Sequence, residues 1–208
     1  MCESETHEGT SFMNILNIKE GQHYIAKIES HSFVDGEGVR CSVYVSGCPF
    51  QCKGCYNVQA QNFKYGEPFE LEMLEEILDY CAPSYIAGLS ILGGEPFCNL
   101  SITLQLVEAF RQRFGHTKTI WVWTGFLFEY LKQQNDARKS LLEHIDVLVD
   151  GMFIQHLYRP NLPYKGSLNQ RVIDVQASLQ KEQVIESVSY THLRAPRDKR
   201  QSRMPSSA

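Results

Sequence analysis

Three of the seven cysteines fall in one short stretch, Cys48-Pro-Phe-Gln-Cys52-Lys-Gly-Cys55, with the spacing C-x3-C-x2-C. Thiolate is the ligand that iron–sulfur clusters need, and a cubane has four irons to be held. Three cysteines on one loop can hold three corners and leave the fourth iron open to a substrate or cofactor. Catalytic zinc keeps a free position in the same way. The same thiols, completed by Cys41, Cys98 or a histidine, would also make a zinc site. Zinc knuckles usually come as paired C-x2-C, so the spacing leans to the cluster. A second unusual stretch is Gly93-Gly94-Glu95-Pro96. Its glycines let a ligand approach the backbone closely, and Pro96 stops a strand. Taken alone it is no more than a turn, and it lacks the G-x-G-x-x-G spacing of a nucleotide fingerprint. Trp121-Val-Trp-Thr-Gly125 is equally ambiguous, since paired tryptophans serve cores and contact surfaces alike. The chain shows no general acid–base or nucleophile–base pair.

The elements that position these stretches follow from periodicity. His23–Glu29 and Arg40–Ser46 alternate as half-buried strands do, and Cys41, Val43 and Val45 share one face of the second. Gly36 and Gly38 mark a tight loop between them. Glu70–Cys81 reads as a helix with an apolar stripe at Leu71, Leu74, Leu78 and Cys81, and Leu100–Phe114 as another, capped by Asn99 or Ser101. Further strands are expected at 86–92, 119–123, 145–149 and 171–175, and further helices at 126–134 and 137–144; residues 152–175 are otherwise irregular. Strands alternating with helices at this spacing indicate an α/β domain with a largely parallel sheet. Ligands of such sheets sit at the carboxyl ends of strands. The cysteine loop, GGEP and TGF each follow a strand directly, so all three are expected on one edge.

Together these residues resemble the radical S-adenosylmethionine superfamily, on the cysteine loop followed by GGEP at a later strand end. More closely they resemble its activases of anaerobic ribonucleoside-triphosphate reductases, on VDGEGVR, VSGCPFQCKGCYN, LSILGGEPF, IWVWTGF, DVLVDGMF and KGSLNQRVIDV. The resemblance runs in order from about residue 14 to 176. It implies a single-domain, shortened and open (βα) partial barrel. It implies that Cys48, Cys52 and Cys55 bind a [4Fe–4S] cluster and that S-adenosylmethionine chelates the open iron. Reductive cleavage of that cofactor would yield a 5′-deoxyadenosyl radical, which takes a hydrogen atom from a glycine of the reductase. Carried over by position, Gly54 and Tyr56 face the cofactor, and Gly93, Gly94 and Glu95 form the strip that meets its amino group. Glu95 stands where the family often has Asp, which keeps the carboxylate. An electron donor of flavodoxin or ferredoxin type is implied as well. The pyruvate formate-lyase activases share the HSF…VDG…G-x-R segment, but they are longer and typically carry His where Tyr56 stands.

Composition bounds the remainder. The 208 residues suffice for one domain, and 43 % of them are apolar. No apolar run approaches the ~18–20 residues that cross a bilayer, so a cytosolic protein without a membrane partner is expected. The net charge of −4 divides unevenly: 187–208 hold five basic residues against one acid, which leaves 1–186 at −8. So acidic a body argues against a nucleic-acid partner, whose phosphates need a basic face. Residues 1–12 are expected to be a disordered leader, 13–186 the domain, and 187–208 a disordered basic tail resembling translated sequencing-adapter sequence. Cys41 and Cys81 sit in apolar stripes and read as core, and Cys98 as a buried, inert thiol. Asp35 and Arg40 flank the glycine loop and read as solvated charges.

Overall fold

Alternating apolar residues draw Tyr24–Ser32 (β1) and Val39–Val45 (β2) into an antiparallel hairpin, and Cys41, Val43 and Val45 are all fully buried. The structure is a computed structural model and describes residues 23–187. The expectations for 1–12 and for 188–208 lie outside the described residues. Ser187, assigned to the tail, still donates its amide to the Val172 carbonyl.

From the hairpin a seven-stranded sheet grows in the order β3-β1-β2-β4-β5-β6-β7, with β3 at Glu67–Pro68, β4 at Ile86–Gly93, β5 at Thr119–Trp123, β6 at Val147–Asp150 and β7 at Arg171–Asp174. The central strands β2, β4, β5 and β6 run parallel; β1, β3 and β7 are antiparallel to their neighbours. The expected largely parallel sheet is therefore a mixed, open one with a parallel centre. The helices are α1 (Leu71–Cys81), α2 (Leu100–Phe114), α3 (Phe128–Lys132), α4 (Ala137–His144) and α5 (Val175–Lys181). In α1 the buried stripe is Leu74, Ile77, Leu78 and Cys81, whereas Leu71 stays exposed, one turn outside it. These side chains pack with Ile102, Leu106, Val107 and Phe110 of α2 and with Val43, Leu89, Ile91 and Val122 of the sheet in one core. Burying each such side chain contributes ~1.5–3 kcal/mol.

The opposite face of the sheet is aromatic and polar. Trp121, Val147, Val149 and Val172 form a second cluster with Trp123 and Tyr164. Arg40 lies there fully buried, against the expectation of a solvated charge. Its Nε donates to Ser90 Oγ at 2.7 Å, its Nη2 to the carbonyls of Leu89 and Thr119, and its guanidinium stacks over Trp121. Asp35 is buried beside it and accepts from the hydroxyls of Ser32 and Tyr44. The glycine loop folds back onto the sheet, where carbonyls and hydroxyls replace the water that these charges would otherwise need.

Candidate functional site

Because β2, β4, β5 and β6 are parallel, their carboxyl ends share one edge, and four loops leave it: Ser46 onward, Gly94 onward, Thr124 onward and Gly151 onward. The first carries the cysteines. Its backbone takes left-handed values at Gln51 (φ 48°) between Cys48 and Cys52, and at Gly54 (φ 77°) between Cys52 and Cys55. A non-glycine residue in that region is strained, and such strain gathers at functional loops. The loop's entry is pinned by amides: Gly47 donates to Ala60 and Cys48 to Gln61, both at the carbonyl.

The second loop is built against the first. Gly94 donates to the Val45 carbonyl at 2.7 Å and Glu95 to the Gly47 carbonyl at 2.8 Å. A Cβ on Gly94 would sit 2.5 Å from that Gly47 oxygen, so only glycine permits this approach. Asn57, at the end of the cysteine loop, donates to the Gly93 carbonyl, and Asn99 Nδ2 donates to those of Gly47 and Glu95. Asn99 therefore ties the two loops together and does not cap α2 with its side chain.

Glu95 is 1 % exposed, and its carboxylate points into the fold. Oε1 accepts from the Phe97 amide and the Thr124 hydroxyl, and Oε2 from the Gly125 amide at 2.8 Å. The side chain thus fastens the GGEP strip to the loop after β5. Burial pushes its carboxyl up to about 7, even though all three donors favour the ionised form. Phe50 of the cysteine loop closes on the same place, since a Cβ on Gly125 would meet its ring at 2.5 Å.

The three thiols are half-buried neighbours. Burial pushes Cys48 up to about 11, and the charges of Glu95, Cys52 and Cys55 act in the same direction. Burial also raises Cys52. Among the described residues, no three Cys, His, Asp or Glu side chains close on a point that could hold a single ion. A cubane, with iron at separate corners, asks for thiols set wider apart than one tetrahedral ion does. Three thiols on one twice-turned loop, beside a strip that only glycine can form, fit such a group.

The structure brings Cys48, Cys52, Cys55, Gly93, Gly94 and the main chain of Glu95 to one edge. Tyr56 is 81 % exposed. Cys98 is half-buried on the turn after Glu95, not buried as expected. The sequence assigns no site role to Asn57 or to Asn99, expected only as a cap, and the fourth loop, from Gly151, enters it only through the DVLVDGMF resemblance. The rule that ligands gather at strand ends could have flagged the fourth loop, because LVDG also follows a strand.

The chain is similar in sequence to one described family and to several proteins that share one name. A family described as a 4Fe-4S single cluster domain matches residues 34–173, which takes in all three cysteines and GGEP. An anaerobic ribonucleoside-triphosphate reductase-activating protein of Vibrio cholerae is 43 % identical over 141 residues, 66 % of this chain and 88 % of that protein. Its counterpart in Escherichia coli K12 is 39 % identical over 143 residues, covering 67 % and 90 % respectively. The one from enterobacteria phage T4 is 37 % identical over 142 residues, covering 67 % and 86 %.

Proposed function

The chain belongs to the family of anaerobic ribonucleoside-triphosphate reductase-activating proteins, and from that premise we propose that it installs a glycyl radical on such a reductase. Cys48, Cys52 and Cys55 hold a [4Fe–4S] cluster in this reading, and the mixed sheet is a shortened partial barrel of the radical S-adenosylmethionine type. When bound, the cluster and S-adenosylmethionine supply methionine and a deoxyadenosyl radical, which takes one hydrogen atom from a glycine Cα of the reductase. A one-electron donor of flavodoxin or ferredoxin type supplies the reducing equivalent.

The protein's own residues bind and orient. Gly93, Gly94 and Glu95 meet the cofactor's amino group, Glu95 through its main chain because its carboxylate is engaged with Thr124 and Gly125. Gly54 and Tyr56 complete the cofactor's surroundings from the cysteine loop. The observation that carries the reading is the juxtaposition of three half-buried thiols with a glycine strip hydrogen-bonded to the base of their loop. The hard chemistry belongs to the bound groups; the protein supplies placement.

The test is anaerobic. Protein reconstituted with iron and sulfide should turn brown, absorb near 400 nm and, when reduced, release 5′-deoxyadenosine from S-adenosylmethionine. Mixed with an anaerobic ribonucleotide reductase, it should give a glycyl-radical doublet by electron paramagnetic resonance, and little or none with pyruvate formate-lyase. A doublet only in the second mixture would reverse the partner; a colourless, zinc-loaded protein would overturn the chemistry.

A further inference from the structure

Charge is segregated along this acidic chain. Residues 46–66 and 151–170 hold four basic residues, Lys53, Lys64, Arg159 and Lys165, and no acid, whereas the rest of 1–186 holds 23 acids against 11 bases. The acids gather most densely on α1, where Glu72, Glu75, Glu76 and Asp79 are all exposed. Lys53, Lys64 and Arg159 are exposed as well, and among the described residues none of the four bases is in an ion pair.

The two basic loops face one another. The Gln155 side chain lies over Gly54, where a Cβ would sit 3.0 Å from its amide group. Residues 50–53 of the cysteine loop and 152–156 of the loop after β6 line a cleft of about 400 Å³. Phe50, Met152, Phe153 and Ile154 give it apolar walls, and Lys53 and His156 are exposed beside them. Of the three loop cysteines only Cys52 lines it, and Gly93, Gly94 and Glu95 do not. The second loop is braced from behind. Asn169 Nδ2 donates to the Met152 carbonyl at 2.8 Å, and the Ile154 amide donates to the Oγ of the fully buried Ser167 at 3.1 Å. The cleft is therefore preformed.

We propose that this cleft and its basic rim are the docking site of an acidic one-electron carrier protein, which reduces the cluster from the side of Cys52. The inference rests on Cys48, Cys52 and Cys55 being the cluster ligands. The carrier loses one electron and the cluster gains one, with no bond made or broken. In the proposed function the glycine strip meets the cofactor, so the electron has to enter by a different side of the cysteine loop. The cleft is such a side, and it brings a ligand thiol to its wall. A carrier must bind briefly and leave, which suits a small contact with an apolar centre and a charged rim. Opposite charge steers such encounters and raises their rate, and the like-charged remainder of the body turns an acidic partner away from wrong faces.

The test follows bleaching of the reconstituted cluster's visible absorbance in stopped flow. Flavodoxin hydroquinone is one reductant, and photoreduced 5-deazariboflavin, small and uncharged, is the other. Wild type should be reduced by flavodoxin at a rate that falls with added salt. Lys53→Glu/Arg159→Glu should slow that step about tenfold and weaken flavodoxin binding in calorimetry, while deazariboflavin reduces it at the wild-type rate. Lys139→Glu/Lys181→Glu changes the net charge equally on α4 and α5 and should match wild type with both reductants. If Lys53→Glu/Arg159→Glu takes up less iron than wild type, His156→Glu/Arg159→Glu, outside the cysteine loop, takes its place with the same expectation. An unchanged flavodoxin rate, an equal loss in the α4 and α5 pair, or an equal loss with deazariboflavin overturns the docking site and leaves the proposed function standing. So does a variant that flavodoxin reduces normally but that forms the glycyl radical slowly, because the rim would then belong to the reductase. A wild-type chain that takes up no cluster overturns both.

Discussion

Cys41 and Cys81 meet in the core, one on β2 and the other on α1, both fully buried. Cys48, Cys52 and Cys55 stand half-buried a few residues beyond the end of the same β2. The neighbouring Cys81 thiol, together with burial, holds the Cys41 thiol far above its ordinary range. Apolar side chains of β1, β2, α1 and α2 surround them. A thiol in such a place is a small hydrophobe with a weak donor. The loop trio has open approach, left-handed turns between its members, and a neighbouring strip held by main-chain hydrogen bonds. The core is thus kept by packing, and the edge by backbone contacts that few other residues would allow. The difference in surroundings, not in residue type, separates the proposed ligands from filler.

The sharpest way to break that comparison is to remove the thiols one at a time. Cys48→Ala, Cys52→Ala and Cys55→Ala should each lose nearly all reconstituted iron. Cys41→Ala and Cys81→Ala should keep it, while losing about 1–2 kcal/mol of stability through the small cavity left behind. Iron content and urea melts read the two effects separately. A Cys41→Ala variant as empty of iron as Cys52→Ala would dissolve the distinction.

Next in size is Gly94→Ala. The added methyl would sit 2.5 Å from the Gly47 carbonyl oxygen and 2.9 Å from the Gly47 nitrogen, both backbone atoms at the root of the cysteine loop. Overpacking against backbone typically costs 1–3 kcal/mol, and here the strain falls on the edge. Iron retention should drop several-fold while the far-ultraviolet circular dichroism stays that of the wild type. If the variant retained iron normally, the two loops would not be coupled through this contact.

Much of this was legible in the sequence where the signal is local. Alternation marked β1 and β2, the three-and-four spacing marked α1 and α2, and the thiol spacing marked the loop. Asp174 was a legible cap that the reading passed over: its side chain accepts from the Ala177 amide and opens α5. Two residues of β3 are too few to show a period. Arg40 and Asp35 gave no sign of burial, because their partners are carbonyls and hydroxyls contributed by β4, β5 and the hairpin itself. The loop after β6 is legible only through the DVLVDGMF resemblance. That its Gln155 side chain lies over Gly54 of the cysteine loop, about a hundred residues away in the chain, leaves no motif.

The smallest expected effect concerns how the edge is fastened, and it turns on Glu95. This carboxyl, pushed up to about 7 by burial, has an ordinary value of 4.5. The folded chain therefore holds the proton more tightly than the unfolded chain does. Its stabilising contribution is complete below about pH 4.5 and is lost as the pH climbs to about 7, after which the loss is constant. The decline between pH 5 and 7.5 should be roughly 2 kcal/mol, since each unit of difference corresponds to ~1.4 kcal/mol. Other groups titrate in the same window, so the quantity to measure is wild type minus Glu95→Gln, in urea melts of the metal-free protein. The amide cannot ionise, and the variant should lose this part of the slope. It will also be less stable throughout, because its NH2 group confronts a donor at Phe97, Thr124 or Gly125, and that offset is independent of pH. Parallel curves for the two proteins would mean that Glu95 keeps one protonation state across the window. The edge would then be fastened by a permanently charged carboxylate, and the three donors would outweigh burial.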